Sequence, residues 1–138
     1  MKVIIDTCVW TLALRRKKSK TNGHVKELEE LINEVRVQFV GPVRQEVLSG
    51  VKLKRQFDIL KKHLSAFADL PLSTGDYELA AEYYNLAREN GIQGSNTDFL
   101  LCAVSARHKM PIFTTDQDFT HFQRVMPIKL HPVRAAFQ

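Results

Sequence analysis

Three short, largely apolar runs restrict the fold of this chain more than any other feature of its sequence. They are KVII (residues 2–5), VQFV (37–40) and PIFT (111–114), and PIKL (127–130) is a possible fourth. Runs of this kind, which do not alternate between apolar and polar residues, are typical of strands buried on both faces of a parallel sheet. Parallel strands need crossover connections, which are usually helices. The sequence therefore predicts an α/β sandwich around a parallel sheet.

The segments between these runs carry helical periodicity. In HVKELEELINEV, apolar residues recur at intervals of three and four, and the acids and the lysine fall on the other face. Helices are predicted from Thr7 to about Leu14, over 24–35, over 43–49, over 52–67, from about Gly75 to Asn90, and over 97–109. Thr7 is a possible cap of the first helix, and the stretch near 70–72 is predicted to be extended.

Size and charge limit the class of protein. The chain has 138 residues, which fits a single domain over 1–138. Its net charge of +5 favours an anionic partner, and nucleic acid is a better fit than a membrane. No apolar stretch approaches the roughly 18 residues that a membrane span needs. Basic residues follow the apolar N-terminus instead of preceding it, which argues against a signal peptide. A cytoplasmic protein is expected.

The cysteines and histidines offer no metal-ligand spacing. Cys8 and Cys102 both lie in apolar stretches, where free cysteine usually behaves as a small buried hydrophobe. The five histidines are scattered along the chain, and we interpret them as surface or packing residues. A structural zinc site is therefore not expected.

Acidic residues follow or precede the predicted strands in a repeated way. Asp6 and Asp116 each follow a short strand, Glu46 opens the helix after another, and Asp98 begins the helix that precedes the strand at 111–114. Each acid taken alone is explained by a cap, a turn or a helix surface. Together they would converge at one edge of a parallel sheet, where their mutual repulsion calls for a cation. Oxygen ligands without Cys or His favour Mg²⁺ or Mn²⁺.

Other enzyme classes with acidic or phosphate-binding sites fit less well. A phosphatase of the haloacid dehalogenase type needs a second aspartate two residues after Asp6, and position 8 is Cys. A receiver domain needs an acidic pair at the first strand. The glycines lie in GVKLKR and GIQGSN, which lack the lysine and spacing of a P-loop. An acidic metal pocket in a basic protein is the charge layout of a nuclease.

The combined motifs resemble a known family. IIDTCVW, QEVLSG and TDFLLCAVSARHKMPIFTTDQDF occur in the order found in PIN domains of the VapC toxin type, and the resemblance spans nearly the whole chain. It implies a three-layer α/β/α sandwich with a short, mainly parallel central sheet. It also implies an endoribonuclease dependent on Mg²⁺ or Mn²⁺ that acts on tRNA or rRNA, a small antitoxin partner, and a homodimer.

The resemblance also assigns roles to residues. It implies a catalytic quartet of Asp6, Glu46, Asp98 and Asp116. The metal ligands would be Asp6, Asp98 and Asp116, and the auxiliary residues would be Thr7, Thr114 and Asp118. Two alternatives stay open: a housekeeping nuclease that processes RNA, and a catalytically silent PIN fold that only binds a partner.

Two further residue sets bear on RNA binding. The first is a basic tract one short helix after Asp6, formed by Arg15, Arg16, Lys17, Lys18 and Lys20. It is predicted to contact RNA phosphates, although a solvated loop fits equally well. The second is a set of aromatic residues, Trp10, Phe57, Tyr83, Tyr84 and Phe99. Their helical spacing favours the core or a dimer interface over base stacking.

Overall fold

The computed structural model describes residues 1–15 and 22–138. Along these residues the elements are β1 (Val3–Ile5), α1 (Thr7–Ala13), α2 (Gly23–Asn33), β2 (Val37–Gln38), α3 (Gly41–Ser49), α4 (Lys54–Leu64), α5 (Thr74–Glu89), α6 (Asn96–His108), β3 (Ile112–Phe113), α7 (Asp118–Phe122) and a 3₁₀ helix (Ala135–Phe137). The last two helices were not predicted from the sequence.

The sheet has three strands in the order β2–β1–β3. Both pairings are parallel, with Val3 opposite Val37 and Ile4 opposite Ile112. The central strand β1 is buried along its whole length, as expected for a strand with helices on both sides. The predicted strand at 127–130 contributes only an isolated parallel bridge between Leu130 and Ile112. The predicted α/β fold with a short parallel central sheet is confirmed.

The helices pack in two sets around this sheet. Helix α1 contacts both α2 and α3, and α3 contacts α4, whereas α5 pairs with α6, which contacts β3. On the first side, Trp10 stacks on Phe39 with ring centroids 4.8 Å apart. On the second, Phe99 packs against Phe122 at 5.0 Å. None of the helices in the described part of the chain is long and apolar enough to cross a lipid bilayer.

Two local predictions are wrong. Thr7 does not cap α1, because the N-cap is Asp6, whose carboxylate accepts from the Thr7 N–H at 2.8 Å. Glu27 does not lie on an exposed acidic face of α2 but is fully buried. There it accepts hydrogen bonds from the guanidinium of Arg134 at 2.8 and 2.9 Å and contacts His131 Nε2 at 2.9 Å. The C-terminal segment thus holds α2 through a buried ion pair, a contact that helical periodicity does not reveal.

Candidate active site

Asp6 lies where β1 ends and α1 begins. Its N–H donates to the Phe113 carbonyl of β3 at 2.9 Å, which continues the parallel ladder by one residue. Its carboxylate is almost completely buried, with 7% of the residue exposed. The Cys8 thiol donates to Asp6 Oδ2 at 3.4 Å. Asp6 is therefore a buried acid held at the carboxyl edge of the sheet, where ligands of parallel sheets bind.

Thr114 connects Asp6 to Asp116. Its hydroxyl donates to Asp6 Oδ2 at 2.8 Å and accepts from the Asp116 N–H at 2.9 Å. Asp116 Oδ1 accepts in turn from the Asp118 N–H at 2.9 Å. The turn after β3 is consequently fixed against the end of β1, which leaves Asp116 Oδ2 free of these contacts.

Asp98 is positioned by the first turn of α6. The Ser95 hydroxyl accepts from the Asp98 N–H at 3.1 Å, and Asp98 Oδ2 accepts from the Ser95 N–H at 3.0 Å. This reciprocal pair is a capping box, which satisfies two of the N–H groups left unpaired where a helix begins. The same bonds that begin the helix therefore orient the Asp98 carboxylate.

Glu46 lies in the second turn of α3 and does not open that helix, as the sequence interpretation had it. The hydroxyl of Thr7, at the start of α1, donates to Glu46 Oε1 at 2.6 Å. This bond joins α1 to α3 across 39 residues of sequence. It leaves Glu46 Oε2 available on an exposed side chain.

The four predicted acids line one cavity of about 730 Å³. The other described residues around it are Thr7, Cys8, Thr11, Leu12, Arg15, Asn22, His24 and Thr115. Asp118 does not line this cavity but faces a neighbouring one. Of the predicted RNA-binding residues, Arg15 is exposed at the rim of the cavity. The remaining members of that basic tract, Arg16, Lys17, Lys18 and Lys20, lie outside the described residues.

The acids of this cavity repel one another. Burial raises the pKa of Asp98 against the Ser95 hydrogen bonds, and the charges of Asp116 and Glu46 raise it further. Burial also raises the pKa of Asp6 against bonds from Thr114 and Cys8, and the Asp98 charge adds to this. Across residues 1–15 and 22–138, no ion pair includes any of the four acids.

Two buried acids outside this cavity, Glu27 and Asp76, have lowered pKa values instead of raised ones. Burial alone would raise the pKa of Glu27, but hydrogen bonds from Arg134 and His131 lower it to about 2. The pKa of Asp76 is likewise lowered, despite burial, by the Ser73 N–H and His108. Basic partners thus neutralise the two structural acids, whereas none of the four cavity acids forms an ion pair with a base among the described residues.

A divalent cation fits this set of donors. Carboxylate oxygens are its preferred ligands, and a cation would relieve the repulsion that raises the pKa of Asp6 and Asp98. Within the described residues, no three acidic, His or Cys side chains are close enough to form a finished ligand set. Mg²⁺ commonly binds through one or two carboxylates and keeps several waters, so an open set of this kind suits it.

Sequence reasoning missed several residues of this cavity. Cys8 is half-buried beside Asp6 and not a fully buried hydrophobe, and its sulfur also accepts from the Thr115 N–H at 3.4 Å. His24 and Asn22 line the cavity from the start of α2, and no local pattern signals that. The role of Ser95 could have been predicted, because Ser-x-x-Asp before an apolar helix is the capping-box signature.

Known structures share this fold over almost the entire chain. FitAcB from Neisseria gonorrhoeae is similar with a TM-score of 0.76 and 20% identity, covering 94% of this chain and 96% of that one. VapBC2 from Rickettsia felis, bound to a promoter DNA fragment, is similar with a TM-score of 0.75 and 18% identity, covering 95% of this chain and 98% of that one. VapBC-5 from Mycobacterium tuberculosis, a member of the VapBC family of toxin–antitoxin systems, is similar with a TM-score of 0.68 and 18% identity. The likeness covers 96% of this chain and 98% of that one.

Sequence comparison gives a second, independent result. No curated protein matches the chain. The model of the PIN domain family matches residues 3–125, which include every acid of the cavity. With that match over most of its length, the chain belongs to the PIN domain family, whose members are generally nucleases.

Proposed function

We propose that this protein is a divalent-metal-dependent endoribonuclease and the toxin of a toxin–antitoxin pair. One observation carries the proposal: four carboxylates from four separate segments line one cavity, and none is paired with a base among the described residues. Uncompensated acids of this kind lower the stability of a fold unless a cation binds them. Such a cost is typical of a functional site.

Membership of the PIN family supports the metal. PIN nucleases generally use divalent metal ions. In this chain Asp6, Asp98 and Asp116 would hold Mg²⁺ or Mn²⁺. When bound, such an ion activates water and stabilises the charge that develops on the phosphate.

The protein side of the reaction follows from the hydrogen bonds. Thr114 holds Asp6 and the Asp116 backbone in one arrangement, so both carboxylates face the phosphate without reorganising. Glu46, fixed on one oxygen by Thr7, would orient the attacking water with the other. Attack of this water on phosphorus forms a new P–O bond and breaks the P–O3′ bond, and a proton from the water passes to the leaving O3′. The resemblance implies these products, a 5′-phosphate and a 3′-hydroxyl.

The structural neighbours support the biological role. Two of the similar structures are described as VapBC, and one of these is described as a member of the VapBC family of toxin–antitoxin systems. We infer that a small antitoxin binds this protein, and a homodimer stays a prediction from the resemblance. The net charge of +5 and Arg15 at the cavity rim favour an anionic substrate such as RNA.

Cleavage of purified RNA tests the enzymatic part. We expect tRNA or rRNA to be cut in Mg²⁺ or Mn²⁺, with no cutting by the Asp98→Asn or Asp116→Asn variants. Asp58→Asn is the matched control, because Asp58 is an exposed acid of α4 paired with Lys54 outside the cavity. Full activity of Asp98→Asn would overturn the assignment, and intact RNA with every protein would favour a silent binding module.

Growth tests the toxin part. Expression of the intact protein should arrest growth, and Asp98→Asn should abolish the arrest while Asp58→Asn does not. Co-expression of a small antitoxin encoded beside the gene should restore growth. Active enzyme without growth arrest would instead favour a housekeeping nuclease.

A further inference from the structure

A second cavity of about 310 Å³ lies between α5 and the loop that leads into α6, the helix whose first turn holds Asp98. Its described lining residues are Tyr84, Arg88, Ile92, Gln93, Gly94 and Phe99. Tyr84 is 37% exposed, unlike its buried neighbour Tyr83. Tyr84 packs edge-on against Phe99 at 5.4 Å, and the Arg88 guanidinium lies 5.8 Å from the Tyr84 ring centroid. The cavity therefore offers an accessible aromatic ring beside a cation.

The loop that walls this cavity is tightly packed. A Cβ on Gly94 would come within 2.7 Å of Phe122 Cζ and 2.9 Å of Phe99 Cζ, and both of those rings are buried. The Ile92 N–H donates to the Ala87 carbonyl at 2.8 Å. Because the loop is held at both ends, the cavity is preformed.

The loop leads directly to the catalytic acids. Gly94 is followed by Ser95, whose N–H donates to Asp98 Oδ2 at 3.0 Å. On its other side, Ile92 and Gln93 also line a cavity with Asp118, whose N–H donates to Asp116 Oδ1. The loop that lines the aromatic cavity thus leads to Asp98 on one side, and on the other it borders Asp118, the hydrogen-bond partner of Asp116.

Polar groups without partners line the same route. The backbone N–H groups of Gln93 and Gly94 donate to no backbone carbonyl within residues 1–15 and 22–138. His121 and Arg124 border the neighbouring cavity, together with Asp118. Arg88 and Arg124 place positive charge on either side of this loop. Free donors and cations suit a strand of phosphates and base edges better than an apolar protein surface.

We propose that this cavity binds an unpaired nucleotide of the RNA strand, next to the phosphate that is cut. The base stacks on Tyr84 and the guanidinium of Arg88 contacts the adjoining phosphate. Aromatic rings and arginine planes are the surfaces on which unpaired bases are recognised. This inference rests on the proposed endoribonuclease function, and it makes Tyr84 and Arg88 binding residues of that same site.

Binding of RNA tests the inference separately from cleavage. Every protein carries Asp98→Asn so that the probe, a short labelled single-stranded RNA of mixed sequence, stays intact. Tyr84→Leu should weaken binding about tenfold, in the range found for loss of one stacked base. Tyr84→Phe keeps the ring and should bind as the parent does. Tyr77→Leu is the matched control, because Tyr77 is an exposed tyrosine of the same helix that lines neither cavity.

Salt dependence separates stacking from charge. Arg88→Gln should make the slope of log affinity against log salt shallower by about 0.7, the value for one phosphate contact on a single strand. Tyr84→Leu should leave that slope unchanged. Arg55→Gln, at an exposed arginine of α4, is the charge-matched control.

The possible failures are distinct. Parent-like binding by both Tyr84→Leu and Arg88→Gln, or no binding by the parent, overturns the nucleotide site. A change from dimer to monomer in Tyr84→Leu, measured by light scattering with unchanged RNA affinity, would assign the cavity to a protein interface instead. RNA that binds as expected but is never cut by the protein with its natural Asp98 overturns the proposed activity and leaves the binding site standing.

Discussion

The hydroxyl of Thr114 lies 2.8 Å from Asp6 Oδ2, across 108 residues of sequence, and also accepts the Asp116 N–H. One side chain thus fixes two of the proposed metal ligands. We predict that Thr114→Val lowers the rate of RNA cleavage roughly 10- to 100-fold, the usual effect of removing a partner of a metal ligand. Thr114→Ser keeps the hydroxyl and should restore the rate. The measurement is cleavage rate against Mn²⁺ concentration, and an unchanged rate in the valine variant would contradict the role.

Asp98 should destabilise the metal-free fold. Burial and the neighbouring acids raise its pKa, so stability falls as pH rises above the ordinary aspartate value and stays lower once the folded carboxylate ionises. Asp98→Asn has no such penalty, and its melting temperature at neutral pH in EDTA should exceed that of the natural protein.

A bound metal ion should reverse the order of the two melting temperatures, so that the natural protein melts above Asp98→Asn. A ligand at about 100 times its dissociation constant stabilises a protein by about 2.7 kcal/mol. Mn²⁺ should therefore raise the melting temperature of the natural protein and have much less effect on Asp98→Asn. Thermal melts with and without Mn²⁺ measure this, and equal stabilisation of both proteins would exclude Asp98 as a ligand.

Ionisation of Glu27 should stabilise the fold as pH rises, whereas ionisation of Asp98 destabilises it. Its pKa is lowered to about 2 from 4.5, so the Glu27–Arg134 contact stabilises the fold above pH 4.5 and is lost as pH falls towards 2. Glu27→Gln should therefore be less stable than the natural protein at neutral pH, with a gap that shrinks in acid. Urea unfolding at several pH values tests this, and a gap independent of pH would argue against the ion pair.

Gly94 should not tolerate a side chain. Its Cβ would meet two buried phenylalanine rings, so Gly94→Ala should cost about 1–3 kcal/mol in unfolding free energy, as overpacking usually does. Gly41→Ala is the control, because a Cβ there has no neighbour within 4 Å. Urea denaturation compares the two variants. Equal effects would mean that the loop moves freely away from the rings.

The periodicity of the chain was sufficient to predict the three strands and the helices α1 to α6 in their order. Buried parallel strands carry apolar residues on both faces, and amphipathic helices repeat every three to four residues, so both leave local signals. The acids at strand ends could also be predicted, because topology places the carboxyl ends of parallel strands at one edge of the sheet. Helix α7 was missed, because a five-residue helix is too short for a clear period.

Contacts between distant residues had no such signal. The charge of Glu27 predicts exposure, and only Arg134 and His131, more than a hundred residues later, make its burial possible. Tyr83 and Tyr84 are adjacent and equally aromatic, yet α5 buries one and opens the other beside Arg88. The sequence by itself determined the secondary structure, the parallel sheet and the candidate acids, because these depend on local composition and period. Tertiary structure decided which hydroxyls, N–H groups and cations meet those acids, because such pairings form only when the folded chain brings remote segments within hydrogen-bonding distance.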